Sequence, residues 1–284
     1  MFDPKPTRYP YPEFTDRHYL VVKKDRHIVF DKDYPYIDTS KGFLFKRFLV
    51  RILLRAVAFP LCVVRLGLVI RGKENRKKFR GILSGGFVSV SNHVHLWDFI
   101  CVMKALYFRK SAILSWDRNV NGENGTLIRL VGGIPIPNGD FRAMHAFQKA
   151  VNGYLKEGNW LHVYSEGSMW EYYRPIRPFK TGPFQIAFKA GVPVLPLAFS
   201  YREPKGLYKL FRSQGLFTLH IGEPLTFRED LPPREAVADM TVRAHRAVCA
   251  LAGIDPDENV YPPVFDNTRR VDYYAAEYGI RKKK

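Results

Sequence analysis

FVSVSNHVHLWDF, Phe87 to Phe99, is the stretch on which the fold turns. Its first five residues, Phe87 to Ser91, form a short β-rich run, and a helical pattern opens at Trp97 and continues to Phe108. A strand running directly into a helix is one half of a β–α unit. The same pattern recurs along the chain. Ala112 to Trp116, Gly133 to Ile136, Trp160 to Tyr164, Val194 to Phe199 and Phe217 to Ile221 read as strands. Asp140 to Glu157, Thr181 to Ala190 and Arg234 to Leu251 read as helices, with Asp140 as an N-cap and Gly158 and Gly191 as stops. The alternation predicts an α/β fold, a layered mixed sheet flanked by helices.

The composition agrees. Of 284 residues, 46% are hydrophobic and 25% charged, which is the balance of a folded globular chain. Cys62, Cys101 and Cys249 are far apart, odd in number and without a Cys-x-x-Cys pair. A disulfide framework and a cysteine-ligated zinc site are therefore not expected, and a reducing compartment is. The charge is the unusual number: 45 Lys and Arg against 27 Asp and Glu give a net +18. A surplus of that size suits a polyanionic partner. Its distribution narrows the choice, because twelve of the basic residues and a single acid, Glu74, fall between Lys41 and Arg80.

That basic stretch contains FLFKRFLVRILLRAVAFPLCVVRLGLVI, Phe43 to Ile70. Lys46, Arg47, Arg51, Arg55 and Arg65 interrupt it, so no run approaches the ~20 apolar residues of a membrane span. Arg47, Arg51 and Arg55 recur at i, i+4 and i+8 and share one face of a helix. The sequence thus predicts an amphipathic basic helix lying in an anionic membrane surface, with those three arginines toward the headgroups. Pro60 is expected to kink or split it. Upstream, MFDPKPTRYPYPEFTD has no apolar signal region. The expected location is therefore peripheral, on the cytoplasmic face of a membrane. Residues 1–70 read as an arm with this helix, 71–253 as the catalytic domain and 254–284 as an extension ending in the basic tail Arg281 to Lys284.

The chemistry concentrates where the first strand ends. Asn92, His93, His95 and Asp98 follow it directly, the place where α/β folds put functional loops. An imidazole with a pKa of ~6.5 suits proton removal at neutral pH. A carboxylate on its other nitrogen fixes the tautomer and stabilises the imidazolium. His93 and Asp98 are the expected base and orienting acid. The sequence has no Gly-x-Ser-x-Gly elbow that would suggest a serine nucleophile.

Ser91-Asn-His-x4-Asp98 resembles the first motif of the glycerolipid acyltransferase superfamily, which includes the lysophosphatidic acid acyltransferases. Gly132 to Pro137 (GGIPIP), Tyr164 to Ser168 (YSEGS), Phe179 to Gly182 (FKTG) and Gly191 to Pro196 (GVPVLP) resemble its later blocks, in the family's order. The resemblance covers roughly residues 70 to 225 and implies an acyl thioester donor, on coenzyme A or acyl carrier protein. The acceptor it implies is a lysophospholipid hydroxyl such as that of 1-acyl-glycerol-3-phosphate. It further implies that Glu166 and Gly167, with Ser168 and Asn92, shape or bind the acceptor site, and that no metal or cofactor takes part. Lys180 is a candidate for an anionic group on either substrate. The chain departs from the family at two phosphate anchors. Its second block ends in Pro137 and Asn138, and Met169 stands where an arginine is usual. Arg118, Arg142, Arg174 and Arg177 are candidate replacements, and a glycolipid or amine acceptor is the alternative.

Two other classes compete, beside a catalytically idle membrane-binding protein on the same fold, against which the intact His93 and Asp98 argue. His93-x-His95-x2-Asp98 superficially matches a metallo-hydrolase loop, but no further His follows it, and His145, His162, His220 and His245 form no ligand pattern. Nucleic-acid binding would account for the charge, but it predicts basic residues interleaved with aromatics rather than set on an apolar helix. Trp97, Trp116, Trp160 and Trp170 all fall among the motif blocks, either lining a pocket or packing in the core.

Overall fold

A computed structural model describes residues 2, 22, 26–106, 111–212 and 214–257. The tail Arg281 to Lys284 and most of the arm 1–42 lie outside the described residues. Among the described residues seven strands form one sheet: β1 (Val69–Arg71), β2 (Phe87–Ser91), β3 (Ser111–Trp116), β4 (Gly133–Ile136), β5 (Trp160–Tyr164), β6 (Val194–Arg202) and β7 (Leu216–Ile221), in the order β1-β7-β6-β2-β5-β3-β4. β2 to β6 run parallel to one another, while β7 pairs antiparallel with β6 and carries β1 on the edge.

The longer helices are α1 (Lys41–Leu53), α2 (Phe59–Leu66), α5 (Asp98–Ala105), α8 (Phe141–Lys156), α9 (Gly182–Ala190) and α11 (Pro233–Ala252). Short turns α3 (Lys73–Lys78), α4 (Arg80–Ser84), α6 (Asp117–Asn121), α7 (Gly125–Val131) and α10 (Tyr208–Phe211) connect the rest. Two cores follow from the period-2 alternation of the strands. On one face Phe87 and Trp160 pack with Cys101, Val102 and Met103 of α5 and with Phe59, Cys62 and Leu66 of α2. On the other, Val88, Val90 and Leu161 pack with α8, α9 and α11. The expected N-cap of α8 is present: the Asp140 carboxylate accepts the N–H groups of Arg142 and Ala143.

β2 and β5 are neighbours, yet the chain leaves them toward opposite faces, to α5 after β2 and to α9 after β5. In a parallel sheet that reversal opens a crevice at the carboxyl ends of the two strands. The loops that begin there carry the Asn92–Asp98 and Ser165–Ser168 motifs.

The basic apolar segment breaks at Pro60 as expected but departs from its expected arginine face. It is divided by a π-helical turn, Leu54–Ala58, just ahead of Pro60, which occupies the first turn of α2. A proline supplies no N–H and crowds the preceding carbonyls, so the helix widens there. Strand β1 takes its last residues, and Gly67 ends α2 in the left-handed region (φ 58°) against Leu216. The arginine face also needs correction. Arg47 and Arg51 turn inward, and both guanidinium groups donate to the Ser111 carbonyl at the start of β3 (2.8 and 3.0 Å). These two residues fasten the helix to the sheet, because the carbonyl at the start of β3 offers an acceptor that a charged donor satisfies well. Arg55 is exposed, as expected. What α1 and α2 turn outward is mostly apolar: Phe45, Phe48, Leu49, Ile52, Leu53 and Val64 all stand exposed. No helix of the described residues is long and apolar enough to cross a membrane.

Candidate active site

Asp98 is the first residue of α5 and is fully buried. Its Oδ2 accepts the backbone N–H of Val94 (2.7 Å) and of His95 (2.8 Å), so the loop folds back over the helix start. The same oxygen lies 3.1 Å from His93 Nδ1. An oxygen already accepting two backbone N–H groups is an acceptor to its third neighbour as well, so Nδ1 carries the proton and donates it. The lone pair then resides on Nε2, for which the described residues supply no hydrogen-bond partner. The His93 side chain keeps 21% of its surface exposed, enough for a substrate hydroxyl to reach it.

Burial governs the ionisation of both groups. Loss of hydration lowers His93 to about 3, with the Arg177 charge acting in the same direction and Glu166 against it. The imidazole is therefore unprotonated, and so able to act as a base, at neutral pH. Burial raises Asp98, opposed by His95 and by the two backbone donors. The upward direction fits its second oxygen, Oδ1, which is buried with no partner among the described residues.

Beneath the dyad lie two residues to which motif reading gave no role. The Tyr164 ring is stacked parallel on His93, with centroids 3.6 Å apart and planes 3° from parallel, which holds the imidazole flat over the sheet. Tyr164 is paired with Ser91, and His162 with Ser89, across β2 and β5. His162 is fully buried; Nδ1 contacts Ser89 Oγ at 2.9 Å and Nε2 contacts Ser91 Oγ at 3.3 Å. The signal was present in the alternation, because residues 160, 162 and 164 must share one face of a strand.

The residues expected to bind the acceptor divide into two groups. Asn92 is buried, and its amide bonds both the N–H and the C=O of Phe199, pinning the loop to β6. Glu166 is 2% exposed. Its Oε2 accepts the N–H of His93 (3.0 Å) and the Arg177 guanidinium (2.6 Å), and its Oε1 accepts the N–H of Arg177 (2.9 Å). Ser168 is buried too, with its Oγ accepting from Arg177 Nη1 at 2.6 Å and its carbonyl bound by Nη2. For Asn92, Glu166 and Ser168 the expected substrate contact is therefore corrected to a positioning role, since every one of these polar groups is spent inside the protein. Gly167 and Lys180 remain at the surface, side by side. Gly167 adopts φ 82°, and a Cβ there would meet Lys180 Cε at 2.8 Å.

Arg177 is itself a correction among the expected phosphate anchors. It is 1% exposed, paired to Glu166, and its guanidinium carbon lies 4.4 Å from the Trp170 ring centroid. Arg118, on the Trp116 ring, is exposed and Arg174 is half-buried. Tyr172, in the same segment, holds φ 56°, a rare conformation for a bulky residue, while its N–H donates to the Val94 carbonyl (3.0 Å). Among the described residues no group of three or more His, Cys, Asp or Glu is arranged to hold a metal ion. A groove of about 970 Å³ between segment 32–39 and α8 includes none of the motif residues.

A His–Asp dyad at the crevice between oppositely connected strands of a mixed α/β sheet is suited to taking a proton from a hydroxyl, for transfer or for hydrolysis. The pattern along the chain narrows that range: residues 67–200, just under half of the chain, match the family model described as Acyltransferase. No curated protein matches it. Among solved structures it is similar to the 1-acyl-sn-glycerophosphate (LPA) acyltransferase PlsC from Thermotoga maritima. The two are 24% identical, with 74% of this chain and 82% of that chain covered and a TM-score of 0.45.

Proposed function

We propose that this acyltransferase moves a fatty acyl group from a thioester, on coenzyme A or acyl carrier protein, to the hydroxyl of a lysophospholipid such as 1-acyl-glycerol-3-phosphate. The observation that carries the reading is the unpartnered Nε2 of a neutral His93 whose Nδ1–H is held by Asp98. Nε2 takes the proton of the acceptor hydroxyl as its oxygen attacks the thioester carbonyl. The C–O bond forms, the C–S bond breaks, and the departing thiolate takes the proton back from Nε2. Asp98 stabilises the imidazolium in between. The work takes place at an anionic membrane surface. Exposed Phe45, Phe48, Ile52 and Leu53 enter the acyl region, with Lys46 and Arg55 at the headgroups.

One observation favours a second acceptor class. Arg177 is committed to Glu166, and Met169 stands where the family carries an arginine, so an acceptor without a phosphate, a glycolipid or an amine, is the competing substrate. The test is thiol release from a long-chain acyl-CoA, and then from acyl carrier protein, by wild type and His93→Ala. Lysophosphatidic acid, a glycolipid and a long-chain amine are offered separately. Release that requires lysophosphatidic acid and falls by ~10²–10⁴ in the variant is expected. Full activity of folded His93→Ala refutes the mechanism, and release with only the glycolipid or amine refutes the phosphorylated acceptor.

A further inference from the structure

A second apolar surface lies away from α1, on the loop between β6 and β7. Leu207, Leu210 and Phe211 are 75%, 75% and 79% exposed, three large apolar side chains within five residues at the turn α10. The segment Lys205-Gly-Leu-Tyr-Lys-Leu-Phe-Arg212 carries three basic residues and no acid, and Arg65 of α2 is exposed beside it. An apolar ridge in a basic collar matches an anionic bilayer, in which headgroups meet the cations and acyl chains take the apolar tips.

The ridge is also continuous with the outer face of α2. The Tyr208 hydroxyl donates to the Val63 carbonyl (3.1 Å), and the Arg212 guanidinium donates to the Arg65 carbonyl. Val63 and Val64 are themselves exposed there. A second donor of Arg212 reaches the Tyr172 hydroxyl, and the Tyr172 ring lies 5.9 Å from that of His95 in the catalytic loop. The ridge thus stands at the rim of the His93 site, joined to it through Arg212 and Tyr172.

We propose that Leu207, Leu210 and Phe211 insert into the same anionic bilayer surface as α1 and α2, so that the protein has two membrane footings and the mouth of the His93 site opens onto the lipid. The proposal rests on the membrane reading above and adds a contact that fixes the enzyme's orientation. A footing on α1 alone leaves the molecule free to rotate about that helix, whereas a contact extended past α2 to the ridge faces the site toward an acceptor that never leaves the bilayer.

The three native cysteines are buried, so a cysteine introduced at Phe211 takes an environment-sensitive nitrobenzoxadiazole label selectively. A second labelled variant, Val242→Cys on the exposed face of α11, is the control. Vesicles of phosphatidylglycerol with phosphatidylcholine are added to each. The label at 211 is expected to brighten and shift to the blue, and the label at 242 to stay unchanged. In the Leu207→Ser/Leu210→Ser/Phe211→Ser variant, vesicle partitioning is expected to fall at least about tenfold. Its turnover of a vesicle-borne acceptor should fall in step, with turnover of a soluble short-chain acceptor unchanged. If the protein sediments with vesicles while the label at 211 stays dark, the ridge proposal is wrong and the reading for α1 and α2 survives. Absence of sedimentation by the wild type defeats both. A ridge variant that alters the oligomeric mass, or loses soluble-acceptor turnover, makes the ridge a self-association surface or part of the site instead, and also overturns the proposal.

Discussion

Replacing Arg177 by methionine separates a buried structural pair from a substrate anchor. Arg177 and Glu166 are almost fully enclosed, and their 2.6 Å contact is accompanied by a second guanidinium bond to Ser168. Methionine retains an apolar contact with Trp170 but removes the charge. Glu166 is then left as a buried carboxylate with only the N–H groups of His93 and Arg177 as donors. Removing one partner of a buried ion pair costs ~3–5 kcal/mol. At ~2–4 °C per kcal/mol for a domain of this size, the melting temperature should fall by ~6–20 °C. Glu166→Gln alone strands the guanidinium and should cost a similar amount. The double variant leaves no buried charge, so it should be more stable than the sum of the singles implies by at least ~2 kcal/mol. Urea unfolding of the four proteins closes the cycle, and the acceptor KM is measured beside it. A phosphate anchor would behave differently, with Arg177→Met raising the acceptor KM and leaving stability nearly untouched. A change in melting temperature under about 2 °C, or strict additivity of the two singles, would refute the pairing.

Asp98→Asn preserves the shape of the helix start but removes the charge that steadies the imidazolium. It should lower kcat by ~10²–10⁴ while changing KM little, and steady-state kinetics on the vesicle-borne acceptor are the check. His162 is fully enclosed, and burial, aided by the nearby His93, lowers it to about 3. A histidine lowered on folding contributes stability above its unfolded pKa of ~6.5 that is lost as the pH falls toward 3, and this amounts to about 2 kcal/mol between pH 6.5 and 5. His162→Gln should remove about one proton from the acid slope of urea-derived stability, and an unchanged slope would contradict the assignment. The Tyr164 hydroxyl is buried without a partner among the described residues. Tyr164→Phe should keep the stack on His93, stabilise the fold by about 1 kcal/mol and leave kcat within about twofold, as measured by thermal unfolding and turnover.

Much of the scaffold was legible because local rules and global packing coincide. Phe87–Ser91 and Trp160–Tyr164 appear as strands with the bounds their β-rich runs suggest, and Asp140 caps its helix through its carboxylate. The short helices α6 and α7, of five and seven residues, form where the chain climbs between β3 and β4, a length too short for any apolar period to register. Strand β1 was hidden inside an apolar run, since three residues on a sheet edge carry no alternation of their own. The three-arginine stripe was a sound helical pattern with an incomplete conclusion. Periodicity tells which residues share a face but not which face meets the protein, and the acceptor that turns Arg47 and Arg51 inward is a carbonyl some sixty positions away.

The sequence by itself determined the β–α alternation, the loop that presents His93 and Asp98, and the match of residues 67–200 to the Acyltransferase family model, because each is written in contiguous or nearly contiguous residues. The tertiary structure alone decided that Tyr164 lies on the imidazole, that Glu166 is committed to Arg177 and the His93 backbone, and that α10 stands exposed at the rim of the site. Those facts arise where strands distant in the chain are brought into register. Burial there changes what a charge can do: Glu166 in water would be a free ligand, but inside the crevice its desolvation requires every lone pair to find a partner, and it becomes part of the frame that holds the base.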